Sequence, residues 1–254
     1  MIITYITEQG GVGKTSLCYN LAWYLASQGK KILMVDLDPQ KGNLSYFAGI
    51  EDKDVRPTIK DVLTKEKKIQ DIIYRVTPNL SIIPANSDVT LVPELVNYHL
   101  DGDYKCLKAE LDKIKKDYDY IFIDINPTPS VLHILSLVSS DEVIIPLQPD
   151  MKTLAGTAGV LETIDTVKEG MNKKLQIRAL VFNFWVSRTG LSKLLRDTMK
   201  ELGKDRGIPV AQTKIPRNVA IGETPLEYVG ITTYSPKSKG ALAYVDLAKE
   251  LFRI

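Results

Sequence analysis

Short apolar, β-branched runs alternate along the chain with longer stretches whose apolar positions recur every three or four residues. The runs predict strands over Ile2–Thr7, Lys31–Asp36, Leu80–Pro84, Tyr120–Asp124, Glu142–Leu147 and Ile177–Asn183, with Val210–Ile215 as a last one. The longer stretches predict helices over Lys14–Gln28, Val89–His99, Tyr104–Lys116, Val131–Ser139, Leu154–Glu169, Leu191–Leu202 and Gly240–Phe252. Strands that are apolar almost throughout need cover on both faces. The expected fold class is therefore α/β, a single doubly wound, mostly parallel sheet flanked by helices on both sides. No Ser-, Gly- or Pro-rich linker and no internal repeat divides the chain, so residues 1–254 are expected to form one domain without an N-terminal helix-turn-helix extension. Glu51–Gln70, with charges at Glu51–Asp54 and Lys65–Lys68, reads as a solvated excursion.

Composition narrows the function classes. With 254 residues, 44% hydrophobic and 25% charged, the chain has the balance of a folded soluble protein and not of a disordered one. Lys plus Arg exceeds Asp plus Glu by only 33 − 31 = 2, so contact with a polyanion would need a local basic patch. Cys18 and Cys106 stand far apart without a CxxC or His pairing, which suggests neither a disulfide framework nor a metal cluster and fits a reducing cytoplasm. Cys18, inside the first helix, reads as core and Cys106 as surface; His133 reads as an ordinary packing or surface residue. No apolar run reaches the roughly 18 residues that a membrane helix requires.

Chemistry concentrates after the first strand, where Gly10-Gly11-Val12-Gly13-Lys14-Thr15-Ser16 leads into a helix. Glycines let backbone N–H groups converge on phosphate oxygens, and the helix start adds partial positive charge. Lys14 can reach the β- and γ-phosphates, and the Thr15 hydroxyl can ligate Mg²⁺. The standard P-loop spacing fails, because Glu8 stands where the first glycine belongs. Two further apolar strands end in carboxylates, Asp36 with Asp38 and Asp124, and strand ends of that kind face the ligand crevice of doubly wound sheets. Asp124 suits a carboxylate that holds Mg²⁺ through water.

These residues resemble the ParA family of deviant Walker ATPases, within the wider group that includes MinD and the nitrogenase iron protein. The matching segments are GGVGKT at 10–15, VDLDPQ at 35–40, YDYIFID at 118–124, DEVIIPLQPD at 141–150, IPRNVAIGETP at 215–225 and YSPKSKGALAYVDLAKEL at 234–251. The resemblance implies a Mg²⁺-dependent ATPase that segregates plasmid or chromosome DNA. Lys14 would bind phosphate, Thr15 and Asp124 would hold Mg²⁺ with support from Asp36, and Asp38 would orient the attacking water. Asn183, Pro216 and Asn218 would contact adenine, although Asn183 also reads as a satisfied strand-end amide. Phe184 and Trp185 would line the base site or a dimer face, or simply fill core.

The resemblance further implies an ATP-induced homodimer, binding to nonspecific double-stranded DNA, a ParB-type centromere-binding adaptor, and a cytoplasmic, nucleoid-associated location without a membrane. Candidate DNA contacts are Arg188, Lys193, Arg196, Lys214, Arg217, Lys237 and Lys239, which also read as scattered surface cations. One departure stands out. Family members carry a lysine just before the paired glycines that reaches the partner's phosphates; here Gln9 occupies that place, by replacement or by a one-residue deletion. Lys41 or Lys152 is expected to supply the charge, or else hydrolysis is slow or silent. A MinD-like membrane-associated positioning ATPase is the alternative, against which the charge-balanced C-terminal helix and the Asp38-Pro39-Gln40 element argue.

Overall fold

The computed structural model describes residues 1–40, 43–51, 57–187 and 189–254. Among them, β1 (Ile2–Tyr5), β2 (Ile32–Leu37), β3 (Tyr74–Thr77), β4 (Leu80–Ile83), β5 (Tyr120–Ile125), β6 (Glu142–Leu147) and β7 (Gln176–Phe182) form one sheet. The order is β3-β4-β2-β5-β1-β6-β7, and every neighbouring pair is parallel except β3 and β4. The helices are α1 (Lys14–Ser27), α2 (Leu44–Phe47), α3 (Ile59–Leu63), α4 (Val92–Glu94), α5 (Cys106–Asp112), α6 (Val131–Ser139), α7 (Lys152–Gly170), α8 (Gly190–Arg206), α9 (Val219–Glu227), α10 (Ile231–Tyr234) and α11 (Lys239–Phe252).

Alternation along β1 shows why both faces are covered. Ile2 and Ile6 enter the core built with α5 to α8, whereas Ile3 and Tyr5 enter the one built with α1 and α11. On the second face Phe122 packs its ring 5.3 Å from that of Tyr5 and 5.7 Å from that of Phe252, so the C-terminal helix is part of the core. Ala241, Tyr244, Leu247, Ala248 and Leu251 of α11 are buried with it. No helix among the described residues is long and apolar enough to cross a membrane.

Four expectations need correction. Val210–Ile215 is not a regular strand; it follows the β7 edge through isolated bridges, Leu180 with Val210 and Trp185 with Pro216. Pro209 and Pro216 cannot donate to a ladder, and between them the Gln212 and Thr213 N–H groups turn to the Glu250 carboxylate at 2.7 and 3.0 Å. Val89–His99 is not one helix but a 3₁₀ turn (Ser87–Leu91), α4 and a π-helical turn (Leu95–His99), because Pro93 can only sit at a helix start. The Tyr104–Lys116 helix is likewise cut down to α5, with a 3₁₀ turn following at Lys115–Asp117. Within Glu51–Gln70, Ile59, Val62, Leu63 and Ile69 are buried, while Glu51 and the charges from Lys65 to Lys68 stay solvated. Residues 52–56 of that stretch lie outside the described residues. The antiparallel edge strand β3 escapes prediction because it is four residues long and carries the exposed Arg75.

Candidate functional site

The sheet order sets β2, β5 and β1 side by side, so their carboxyl ends and the loop after β1 share one crevice. Gly11 and Gly13 hold φ of 76° and 77°, the left-handed region that glycine enters without strain. At Gly13 a side chain is excluded by space as well, since a Cβ would lie 2.5 Å from Asn183 Nδ2 and 2.8 Å from the Phe184 ring. The N–H groups of Gly10, Gly11, Val12 and Gly13 meet no protein acceptor among the described residues. They run directly into the start of α1, an arrangement suited to an anion.

Lys14 is buried, and its Nζ lies 2.5 Å from Asp124 Oδ1. The Thr15 hydroxyl donates to Asp124 Oδ2 at 2.6 Å. One carboxylate therefore holds both functional side chains of the loop. Parallel register sets Asp36 of β2 beside Asp124 of β5. Asp36 is sealed from solvent and accepts from Asp38 N (3.0 Å), Ser45 N (2.8 Å) and Ser45 Oγ (2.6 Å). Burial first, and the Asp124 charge second, push its carboxyl up to about 7, against those hydrogen bonds. Asp38 is also raised above the ordinary carboxylate value by burial, offset by the Gln40 N–H and the Lys14 charge. Asn43 Nδ2 donates to the Asp38 carbonyl at 2.7 Å, while Asn43 Oδ1 caps α2 by accepting from Tyr46 N. A triphosphate with Mg²⁺ fits this donor set: an N–H row and an ammonium for phosphate oxygens, and a hydroxyl with carboxylate oxygens as hard ligands for the metal.

Of the three expected base contacts, Asn183 is the one that meets the loop directly. Asn183, at the end of β7, donates from Nδ2 to the carbonyls of Val12 (2.8 Å) and Gly13 (3.2 Å) and accepts from Phe184 N at 3.0 Å. Its amide is spent on the loop, the arrangement of a satisfied strand-end amide. Phe184, with φ of 50°, lays its ring against Gly13, and Trp185 packs on Phe182. Pro216 bridges to Trp185, and Asn218 caps α9 by accepting from Ala220 N.

On the outer side of the loop Gln9 Oε1 accepts from the Thr153 hydroxyl at 2.8 Å. A cavity of about 660 Å³ opens there, lined by Glu8, Gln9, Gly10, Gly11, Asp150 and Lys152 among others. Lys152 is exposed and has no ion pair among the described residues. Lys41 and Arg188 lie outside the described residues. Lys193, Arg196 and Lys200 share one face of α8 by their spacing. The charges of Lys200 and Arg196, after partial burial, lower the Lys214 pKa, so these cations lie near one another. Lys214 Nζ also stands 5.1 Å above the Trp185 ring. Arg217 is exposed beside Trp185, whereas Lys237 and Lys239 stand at the start of α11.

Sequence reasoning missed Ser45 and Thr153, whose distance along the chain from Asp36 and Gln9 gave no signal. Lys200 was legible from the spacing of Lys193 and Arg196. His133 is fully buried packing, with neither ring nitrogen partnered, and burial followed by the Lys14 charge lowers its pKa to about 4. Cys18 is core as expected, and Cys106 is half-buried and not fully on the surface.

Comparison with known proteins agrees with this geometry. A family profile described as an AAA domain matches residues 1–177. The chain is 37% identical over 256 residues to the sporulation initiation inhibitor protein Soj of Bacillus subtilis, covering 98% of this chain and 97% of that one. It is 36% identical over 252 residues to the chromosome-partitioning ATPase Soj of Treponema pallidum, with 98% and 96% covered. Among solved structures, cobyrinic acid a,c-diamide synthase from Mycobacterium smegmatis with bound ADP and magnesium superposes with a TM-score of 0.83 at 28% identity. The superposition covers 99% of this chain and 94% of that one.

Asp36 supplies a pH test. A carboxyl raised from 3.8 to about 7 in the folded protein binds its proton more tightly there than when unfolded. Its contribution to stability is complete below about pH 4 and is lost as pH rises through about 7. Urea titrations of nucleotide- and Mg²⁺-free protein should show wild type losing stability relative to Asp36→Asn across that window. A pH-independent difference between the two would refute the assignment.

Proposed function

The chain belongs to the ParA/Soj family of deviant Walker A ATPases, and from that premise we infer that it binds Mg²⁺-ATP and hydrolyses it slowly while partitioning plasmid or chromosome DNA. The observation that carries this reading is the convergence of Lys14 and Thr15 on Asp124 beneath a row of unpartnered N–H groups. Lys14 neutralises phosphate charge, Thr15 and Asp124 hold the metal with Asp36 behind them, and Asp38 aligns water. Bound Mg²⁺ supplies charge neutralisation on the transferring phosphoryl group, and the protein supplies position. Residues 1–254 act as one ATPase domain. Asn183, Pro216 and Asn218 frame the base once the Asn183 bonds to the loop are exchanged.

Replacing Lys14 with Ala should abolish ATP binding in calorimetry. Asp38→Ala should keep binding but lower phosphate release about 10²-fold or more. Wild-type turnover in Asp38→Ala, or undiminished ATP affinity in Lys14→Ala, would remove those roles.

ATP-bound copies form a homodimer in this reading, and Lys152 supplies the intersubunit cation that Gln9 cannot. Its support is the position of Lys152 on the cavity beside Gln9, Gly10 and Gly11. Lys152→Ala should weaken ATP-dependent dimerisation, measured by light scattering, and lower turnover; unchanged values in both would dismiss the role.

The dimer binds nonspecific double-stranded DNA through Lys193, Arg196, Lys200, Lys214 and Arg217, acts with a ParB-type centromere-binding adaptor, and resides in the cytoplasm on the nucleoid. Backbone contacts of this kind are salt-dependent. Arg196→Ala/Lys200→Ala should bind random duplex DNA more weakly and lower the slope of log affinity against log salt by about 1 to 2. A slope equal to that of wild type would place the DNA elsewhere. A membrane-associated role has less support, because the apolar face of α11 is already buried.

A further inference from the structure

Asp38 is held at its backbone from both sides by other side chains. Its N–H donates to Asp36 Oδ1 at 3.0 Å, and its carbonyl accepts from Asn43 Nδ2 at 2.7 Å. The Gln40 N–H donates to Oδ1 of the Asp38 carboxylate at 3.0 Å, while Oδ2 accepts from no group among the described residues. That second oxygen is the one left to meet water. Where it points follows from the backbone at Asp38, because only two torsions separate the carboxylate from Cα and the first of them sits in staggered wells.

Asn43 is buried, and both ends of its amide are used. Oδ1 accepts from Tyr46 N at 3.2 Å and caps α2, whereas Nδ2 reaches back to the Asp38 carbonyl. Capping asks only for the oxygen, which Ser or Asp supplies equally well. The bond to Asp38 is additional, and it needs the donor that the amide carries beside its acceptor. Helix α2 gives this clasp a fixed base. Four residues cannot hold a helix by themselves, so its place comes from its neighbours. Ser45 donates its N–H and hydroxyl to Asp36 and accepts from Ala85 N at 2.9 Å. The Phe47 ring stands 5.4 Å from that of Tyr19 in α1, the Tyr46 ring 6.4 Å from that of Tyr228, and Leu44 is sealed in the core. Asn43 thus ties the Asp38 carbonyl to an element anchored on β2, the end of β4 and α1. We propose that Asn43 is a positioning residue for hydrolysis: it fixes the backbone from which the Asp38 carboxylate orients water. This role rests on the one proposed above for Asp38.

Two variants separate the clasp from the cap. Asn43→Ser keeps a capping oxygen and removes the amide donor, whereas Asn43→Ala removes both. Single-turnover hydrolysis at saturating Mg²⁺-ATP should fall about tenfold or more in both variants, since misplacing a water-orienting group lowers the rate of the chemical step. ATP affinity by calorimetry should stay within about twofold of wild type, because no contact with the nucleotide is lost. Thermal melts should place Asn43→Ser above Asn43→Ala, so that stability follows the cap while turnover follows the clasp. Asp38→Ala/Asn43→Ser should turn over within about twofold of Asp38→Ala alone, because the clasp acts only through Asp38. Turnover in Asn43→Ser within about twofold of wild type would overturn the role, as would losses that multiply in the double variant. ATP affinity that falls in step with turnover would mark a structural residue and overturn it too. Wild-type turnover in Asp38→Ala would defeat the Asp38 reading and take this role with it, whereas full turnover in Asn43→Ser beside an impaired Asp38→Ala defeats this role alone.

Discussion

A buried ammonium beside a buried carboxylate, Lys14 against Asp124, is the interaction on which the ligand face depends. Neither charge could remain in that crevice alone, because desolvation of an isolated ion costs several kcal/mol even after the protein relaxes. Asp124 carries a second burden through the Thr15 hydroxyl, and a third because sheet register sets Asp36 beside it. The raised pKa of Asp36 follows from this crowding and from burial: with one full carboxylate already present, a second is favoured only if its own hydrogen bonds outweigh both costs. Ser45 supplies two of those bonds and also accepts from Ala85 N at the end of β4. The electrostatics of the site are thereby tied to the start of α2, the segment that follows Asp38.

Much of this was readable in the chain, and the reasons are physical. Glycine at positive φ, a lysine at a helix start and carboxylates at the ends of apolar strands are local features, and each limits what the backbone near it can do. Six of the strands follow from largely apolar runs that a doubly covered sheet buries. What stayed hidden is non-local. Nothing in the sequence pairs Ser45 with Asp36 or Thr153 with Gln9, and the edge strand β3 becomes a strand only because β4 offers it hydrogen bonds. The 209–216 segment fails as a strand for the opposite reason: two prolines and the Glu250 carboxylate withdraw the donors that its apolar pattern seemed to promise. Of the cations read as a DNA surface, the fold gathers those on α8 with Lys214, while spacing along the chain could not separate them from Lys237 and Lys239.

The polar groups just after Asp124 carry the argument from statics to change. Asn126 Oδ1, Ser130 Oγ and both nitrogens of His133 are buried without a partner. Each such atom costs about 1–3 kcal/mol unless something pairs with it. They occupy the connection from β5 to α6 and the first turn of α6, following the carboxylate that holds Lys14, so the arrangement is costly in one place and satisfied in another. Lys14, Thr15 and Asn183 have all their main groups engaged, whereas the N–H row of the loop and this connection do not.

A phosphate ligand reverses that balance. It would offer acceptors to the loop N–H groups and a second anion to Lys14, beside the Asp124 carboxylate and the Asn183 bonds to Val12 and Gly13. The loop has neighbours on both sides: Gln9 Oε1 accepts from the Thr153 hydroxyl of α7, and the Phe184 ring covers Gly13. A shift of the loop would bear on the end of β7 through Asn183 and Phe184, and on α7 through Gln9. On the α7 side the contacts run through side chains, the Glu8 carboxylate against Gly159 and Gln9 against Thr153 and Gly156, so that side of the loop yields more readily than the Gly13 side, where Asn183 and Phe184 leave no room for a Cβ.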